Sequence, residues 1–317
     1  MVNDLYHNKL KKFTGEKNKQ IFYSSRTRNC YILWHFGNIC NFRCSYCLNK
    51  YASDMNFSNI TKEQTDKIIK QLNKIKTAFK VDFLGGEPTL FKYCFYAIKR
   101  LNCYGINITT NGYETEWIRE LYNVSREYHK HVILCVSVHY EKYLEDKEDY
   151  INHLDALIEM SKEKSNVELE FMILLNYKYL DKYKELVQYL CDREKTENYN
   201  INMSYVRYDS QPEEFVKNYA KASKMFSDDI AEKLKNERLR AITKNPFYHK
   251  NCSAFKYYMN INMDGTVTSC DCPQQMISKK SMYDDDFDIS KEITVMECCQ
   301  KHERMNSSCR VANNMLK

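Results

Sequence analysis

Three cysteines stand together near the start of the chain, in the run Cys40-Asn41-Phe42-Arg43-Cys44-Ser45-Tyr46-Cys47, which spaces them C-x3-C-x2-C. Three thiolates on one short loop can cap three irons of a cubane cluster and leave the fourth iron open to a small molecule. A tetrahedral zinc site asks for a fourth ligand, and zinc knuckles pair C-x2-C units instead. The bland alternative, three incidental or buried cysteines, fits poorly with so tight a cluster directly after the apolar run Tyr31 to Phe36.

The elements that must carry this loop are legible as an alternation. Tyr31 to Phe36 reads as a buried strand bounded by Gly37. Thr61 and Gln64 form a capping box ahead of a helix whose apolar positions Ile68, Ile69, Leu72, Ile75 and Phe79 share one face. Further strands are predicted at Val81 to Leu84, Ile106 to Thr109, Val132 to Val138, Val167 to Leu175 and Ile201 to Val206. Helices are predicted around Cys94 to Leu101, Glu116 to Tyr128, Tyr150 to Ser161 and Lys178 to Cys191. Six strands alternating with helices imply an α/β fold with a parallel sheet, either open and doubly wound or curled into an incomplete barrel. In both cases the chemistry belongs beyond the C-terminal ends of the strands.

With its aromatic Tyr46 before the last cysteine, the motif resembles that of the radical S-adenosylmethionine (radical SAM) superfamily, and further segments match in order. Gly85-Gly86-Glu87-Pro88, at the second strand end, is similar to the family segment whose backbone and Glu meet the amino group of the cofactor. Thr109-Thr110-Asn111-Gly112 ends the third strand and resembles the TNG segment, with Asn111 near the cofactor or simply in a turn. Ser137-Val138-His139 stands where relatives often present Ser-x-Asp to the ribose, so Ser137 and His139 are candidate contacts of ribose or substrate. At the sixth strand end Arg207 is a candidate partner for a carboxylate, or one half of a surface ion pair. The resemblance implies a partial (β/α)6 TIM-like barrel over residues 29–210, a [4Fe-4S] cluster on Cys40, Cys44 and Cys47, and S-adenosylmethionine on its open iron. It also implies a flavodoxin or ferredoxin-type electron donor, and a 5′-deoxyadenosyl radical that takes hydrogen from a small metabolite such as a sugar or from a peptidyl residue.

Six of the fourteen cysteines fall after residue 250: Cys252, Cys270, Cys272, Cys298, Cys299 and Cys309. Cys252, with the pattern MNINMDGTVTSC leading to Cys270, resembles the opening of the SPASM and twitch extensions. There a β-hairpin, here turning at Asp264-Gly265, carries ligands of an auxiliary iron–sulfur cluster. Cys299 and Cys309 are the expected further ligands, with Cys298 and Cys272 as alternates, and structural zinc is the rival. The expected organisation is an N-terminal extension 1–28, the barrel 29–210, a helical linker 211–250 and a small cysteine-rich auxiliary-cluster domain 251–317. Cys30, Cys94, Cys103, Cys135 and Cys191 lie on apolar elements and are assigned to the core.

Composition bounds the function. The chain has 317 residues, 43% of them apolar and 28% charged, with 48 basic against 42 acidic side chains, so it can bury a sizeable core and is no disulfide miniprotein. Its net charge of +6 comes from lysines spread along the chain rather than from a basic face, which argues against a nucleic-acid partner. No apolar run approaches the ~20 residues of a membrane span and no apolar signal core opens the chain, so a cytoplasmic protein is expected. In that reducing compartment, clustered cysteines read as metal ligands or catalytic thiols. The rival class is a non-enzymatic iron–sulfur or zinc protein that binds RNA or a protein partner. Tyr140, Tyr205 and Tyr208, near strand ends, are the candidate substrate-facing aromatics.

Overall fold

The computed structural model describes residues 30–47, 58–76, 78–176, 178–205, 220–221, 224–226, 251–252, 258–268, 280–290 and 296–297. Six strands alternate with helices: β1 (Cys30–His35), α1 (Lys62–Leu72), β2 (Phe79–Leu84), α2 (Cys94–Arg100), β3 (Gly105–Thr110), α3 (Thr115–Glu127), β4 (Val132–Val138), α4 (Tyr140–Glu145), α5 (Lys147–Ser161), β5 (Val167–Leu175), α6 (Leu180–Glu194) and β6 (Tyr199–Tyr205). Beyond them lie β7 (Asn251–Cys252), β8 (Tyr258–Ile261), β9 (Val267–Thr268) and β10 (Met296–Glu297). The capping box forms as expected, with the Thr61 hydroxyl accepting from the Gln64 N–H and the Gln64 side chain accepting from the Thr61 N–H.

The main sheet runs β6-β5-β4-β3-β2-β1-β8-β9, and every pair from β1 to β6 is parallel. The strand order never reverses among these six. A doubly wound sheet has a reversal at its switch point, so the architecture is the barrel-type one, unclosed: β6 and β9 are the two ends. Alternate strand residues such as Ile32, Trp34, Val81, Phe83, Ile108, Leu134 and Phe171 join the helices in one core. The other face carries Tyr31, Lys80, Asp82 and Asn107, all buried. The Tyr31 hydroxyl donates to Asp82, and the Asn107 amide donates to the same carboxylate at 3.3 Å.

The sheet crosses the expected boundary at residue 251. β8 lies parallel to β1, with Leu33 opposite Asn260, and β9 returns antiparallel to β8. The hairpin forms, with a turn one residue longer than the two expected: the Asn262 N–H donates to the Thr266 carbonyl, the Gly265 N–H to the Asn262 carbonyl, and Gly265 takes φ 76°. A three-residue loop closing on a left-handed residue is the geometry Gly supplies without strain. Residues 280–290 pack on α1, where the Gln71 amide donates to the Phe287 carbonyl (2.6 Å) and accepts from the Ile289 N–H (3.2 Å). No helix among the described residues is long and apolar enough to cross a membrane.

Candidate active site

The cysteine loop leaves β1 and is immediately locked to the end of β2. The N–H groups of Gly86 and Glu87 donate to the carbonyls of Gly37 (2.9 Å) and Ile39 (2.7 Å), which carries parallel pairing past both strand ends. Such an approach leaves no space for side chains: a Cβ on Gly86 would stand 2.5 Å from the Ile39 carbonyl carbon and 2.7 Å from that of Asn38. Gly85 adopts φ 142°, where L side chains are strained. On the other side of residues 36–38, the N–H of Asn38 donates to the Ser58 carbonyl (3.0 Å) and that of Ile60 to the Phe36 carbonyl (2.8 Å). Cys40 therefore emerges from a fixed base at the C-terminal edge of the sheet.

Glu87 ties that base to β3. One carboxylate oxygen accepts from the Thr89 N–H (3.2 Å), the Thr89 hydroxyl (2.9 Å) and the Thr110 hydroxyl (2.5 Å), and the other from the Asn111 N–H (2.8 Å). Three donors crowd one oxygen and a single one reaches the other, so of the roughly four lone-pair positions of a carboxylate one on the second oxygen stays open. Burial pushes the Glu87 pKa up, and these hydrogen bonds pull against it. Pro88 opens the 3-10 turn Pro88–Leu90 that Glu87 caps. Asn111, also buried, accepts from the Tyr113 N–H in its own turn and donates to the Asn41 side chain at 2.6 Å, inside the cysteine loop.

From the far side, the start of α4 grips the same loop. His139, buried at the end of β4, places Nδ1 2.7 Å from the Tyr46 hydroxyl and 3.3 Å from Cys44 Sγ. Burial holds its pKa down at about 4, with Lys142 adding to the effect, so the ring is neutral at pH 7. Glu141 accepts from both the N–H (3.1 Å) and the hydroxyl of Ser45. Phe42 packs edge-on against Tyr113 (4.8 Å) and His139 (5.1 Å), with Lys142 Nζ 5.4 Å from its ring centre. Sequence reasoning missed Glu141 and Asn41, which meet their partners across 96 and 70 residues with no periodic signal.

The thiols themselves suit a polynuclear iron group. All three are free. Burial, mutual charge and nearby carboxylates raise Cys40 and bring Cys44 to about 11, so their ionisation calls for a cation. A cubane takes one thiolate per iron, which three cysteines supply with one iron left open, whereas a tetrahedral zinc asks for a fourth ligand. The donor set thus fits a cluster better than a lone zinc.

The other expected residues separate. Ser137 is half-buried on the inner face of the sheet, beside its register partner Met172. Tyr140 does not line a cleft: it is buried, stacked between Tyr46 (5.1 Å) and Tyr183 (5.0 Å), and its hydroxyl accepts from the Asn176 amide at 2.9 Å. Arg207, Tyr208, Cys270, Cys299 and Cys309, with the alternates Cys272 and Cys298, lie outside the described residues, as do the side chains of Tyr205 and Cys252. Cys30, Cys94, Cys103, Cys135 and Cys191 are buried; burial pushes Cys30 up to about 12 and Cys103 to about 11, which leaves them protonated and inert as nucleophiles at neutral pH.

Residues 27–156, which contain the whole loop and its clamps, match a family model described as a 4Fe-4S single cluster domain. The chain resembles the radical SAM enzymes. Over 87 residues it is 35% identical to an S-adenosylmethionine-dependent nucleotide dehydratase of Flammeovirga pacifica, covering 26% of this chain and 30% of that protein. Over 92 residues it is 35% identical to a GTP 3′,8-cyclase of Pasteurella multocida, covering 27% of each. It therefore spans less than a third of the length of these curated relatives. The solved structure "Native anSMEcpe with bound AdoMet and Kp18Cys peptide" superimposes with a TM-score of 0.55 at 15% identity, over 85% of this chain and 81% of that one. At that identity the likeness is one of fold.

Proposed function

We propose that the chain is an enzyme that carries a [4Fe-4S] cluster on Cys40, Cys44 and Cys47 and cleaves S-adenosylmethionine reductively at it. The observation that carries this reading is the cysteine loop, pinned by residues from the ends of β2, β3 and β4 at the C-terminal edge of a parallel, barrel-type sheet. When bound, S-adenosylmethionine supplies hydrogen abstraction through its 5′-deoxyadenosyl group. The protein's part is to hold and aim. The backbone of Gly85 to Pro88 and the Glu87 carboxylate would hold the cofactor's amino group, with Glu87 fixed in place by Thr89, Thr110 and the Asn111 N–H. Asn111 and His139 shape the wall beside the cysteines, Ser137 lies lower on the inner face, and Arg207 is proposed for a carboxylate.

The substrate is proposed to be a small metabolite or a peptidyl residue. A nucleotide is the metabolite suggested by the names of the two curated relatives, and a peptide by the bound molecule of the structural one. An auxiliary cluster on Cys252, Cys270, Cys299 and Cys309 belongs to the same proposal. It is supported by the pairing of Cys252 with Met296 across β7 and β10, three residues before Cys299. The electron donor is a flavodoxin or ferredoxin type.

Anaerobic reconstitution followed by iron, sulfide and 5′-deoxyadenosine measurement tests the reading. About eight irons should fall to about four in the Cys40/Cys44/Cys47→Ala variant, with 5′-deoxyadenosine release lost. Equal iron in both proteins, or no 5′-deoxyadenosine from the loaded wild type with either a nucleotide or a peptide present, refutes it in favour of a non-enzymatic metal protein.

A further inference from the structure

The turn between Cys44 and Cys47 is closed by the Cys47 N–H on the Cys44 carbonyl (3.2 Å). Main-chain N–H groups of such a loop are the natural donors to thiolate and cluster sulfur, and the Phe42 N–H already donates to Cys40 Sγ at 3.3 Å. The Ser45 N–H, by contrast, is taken by Glu141 at 3.1 Å, and the Ser45 hydroxyl by the other oxygen of the same carboxylate. Glu141 thus withdraws one donor from the sulfur environment and sets a negative charge against the turn between two ligands. Its charge is felt at Cys44.

Among the described residues the other charged groups around the loop are Glu87, whose charge is felt at Cys40, Glu114, which accepts from the Asn41 amide at 3.4 Å, Arg43, which donates to the Cys40 carbonyl at 2.6 Å, and Lys142 over Phe42. Lys142 is itself paired with Glu145 at 2.5 Å.

We propose that Glu141 sets a low reduction potential for the cluster held by Cys40, Cys44 and Cys47, acting through Ser45 and its own charge rather than as a ligand. Adding an electron makes a cluster more negative, so a neighbouring carboxylate and a missing sulfur hydrogen bond both disfavour reduction, while a neighbouring cation favours it. A low-potential cluster is what one-electron reduction of a sulfonium demands. The inference rests on the function proposed above.

The test is a redox titration of the reconstituted full chain followed by electron paramagnetic resonance, reading the signal that disappears in the Cys40/Cys44/Cys47→Ala variant. Glu141→Gln should raise the midpoint potential by about a tenfold change in the one-electron equilibrium, or ~59 mV. Glu141→Asp, which keeps the charge, should stay near wild type. Lys142→Gln should move the potential the opposite way, by less because Glu145 already balances that ammonium. A purely structural clamp would not produce shifts of opposite sign. An unmoved potential in loaded Glu141→Gln overturns this inference and leaves the proposed function standing, whereas a wild type that takes up no iron on this loop overturns both. If Glu141→Gln fails to load, Glu141→Ala, which also removes the charge and the contact with Ser45, is read in its place: a raised potential supports the inference and an unmoved one overturns it.

Discussion

Gly86→Ala probes the contact on which the site is built. The added methyl would lie 2.5 Å and 2.7 Å from two carbonyl carbons of residues 39 and 38, against an ordinary carbon contact of ~3.5 to 4.0 Å. Both obstacles are main chain and cannot rotate away, so the two segments must part by about 1 Å. That stretches the Gly86 to Gly37 and Glu87 to Ile39 hydrogen bonds, now 2.9 and 2.7 Å, beyond useful range. At about 0.5–1.5 kcal/mol each, the loss is about 1–3 kcal/mol, and the base of Cys40 shifts with it. Urea denaturation of the apoprotein and iron uptake after reconstitution should both report the change. Gly105→Ala is the control: the nearest atoms its methyl would meet are Lys80 and His131 side-chain atoms at 3.6–3.7 Å, and its stability should lie within about 1 kcal/mol of wild type. A Gly86→Ala protein with wild-type midpoint and full iron would refute the reasoning, as would an equal loss in Gly105→Ala.

Glu87→Gln should cost the apoprotein about 1–3 kcal/mol in the same assay, because an amide NH2 turned toward the Asn111 N–H leaves a buried donor without an acceptor; unchanged stability would refute the hydrogen-bonded role. Lys80, buried on the inner face, has its pKa lowered from 10.5 to about 8 by burial, against the pull of Asp82, Glu170 and Glu168. Between those values the unfolded chain holds the proton and the folded chain does not, so this lysine makes stability rise with pH from about 8 to 10.5, by up to about 3 kcal/mol. That rise should be missing from Lys80→Met in denaturation midpoints measured across the window, and identical pH profiles for the two proteins would refute it. Thr61→Ala, which removes the hydroxyl cap of α1, should cost about 1 kcal/mol, read as a fall in thermal midpoint; an unchanged midpoint would refute it.

The six parallel strands and their helices were legible because apolar runs and helical spacing report burial directly. Their edges were less so. α1 ends at Leu72, so Ile75 and Phe79 are not on its apolar face as expected, and β2 begins at Phe79 rather than Val81, since Lys80 is a charged residue turned to the inner face, where a period-based reading expects an apolar one. The joining of β8 to β1 depends on a pairing of residues 31 and 258, and nothing local to either segment announces it. At the site, Cys40, Cys44, Cys47 and the Gly85-Gly86-Glu87-Pro88 run carried their own signal in residue type and spacing. The clamps did not: Glu141 on Ser45 and Asn111 on Asn41 are single polar contacts between loops distant in the chain. Tyr140 differs from expectation for a related reason, because a tyrosine at a strand end looks available to a ligand until the stacking of Tyr46 and Tyr183 around it is seen.

The way the loop is held has a consequence for how it acquires metal. Within the loop the local restraints are few: Arg43 on the carbonyls of Cys40 and Phe42, the Phe42 N–H on Cys40 Sγ, and the Cys47 N–H on the Cys44 carbonyl. The remaining described restraints on Asn41, Phe42, Cys44, Ser45 and Tyr46 reach in from the ends of β3 and β4 and from α4. The conformation that presents three thiols is therefore a property of the folded barrel, and its ordering entropy is met by folding rather than by metal binding. A site ordered in advance binds more tightly than the same ligands on a free peptide, because less freedom is lost at the moment of association. By the same reasoning, substitutions at His139 or Glu141 weaken cluster retention without replacing a ligand, and they do so by loosening the segment between Cys44 and Cys47.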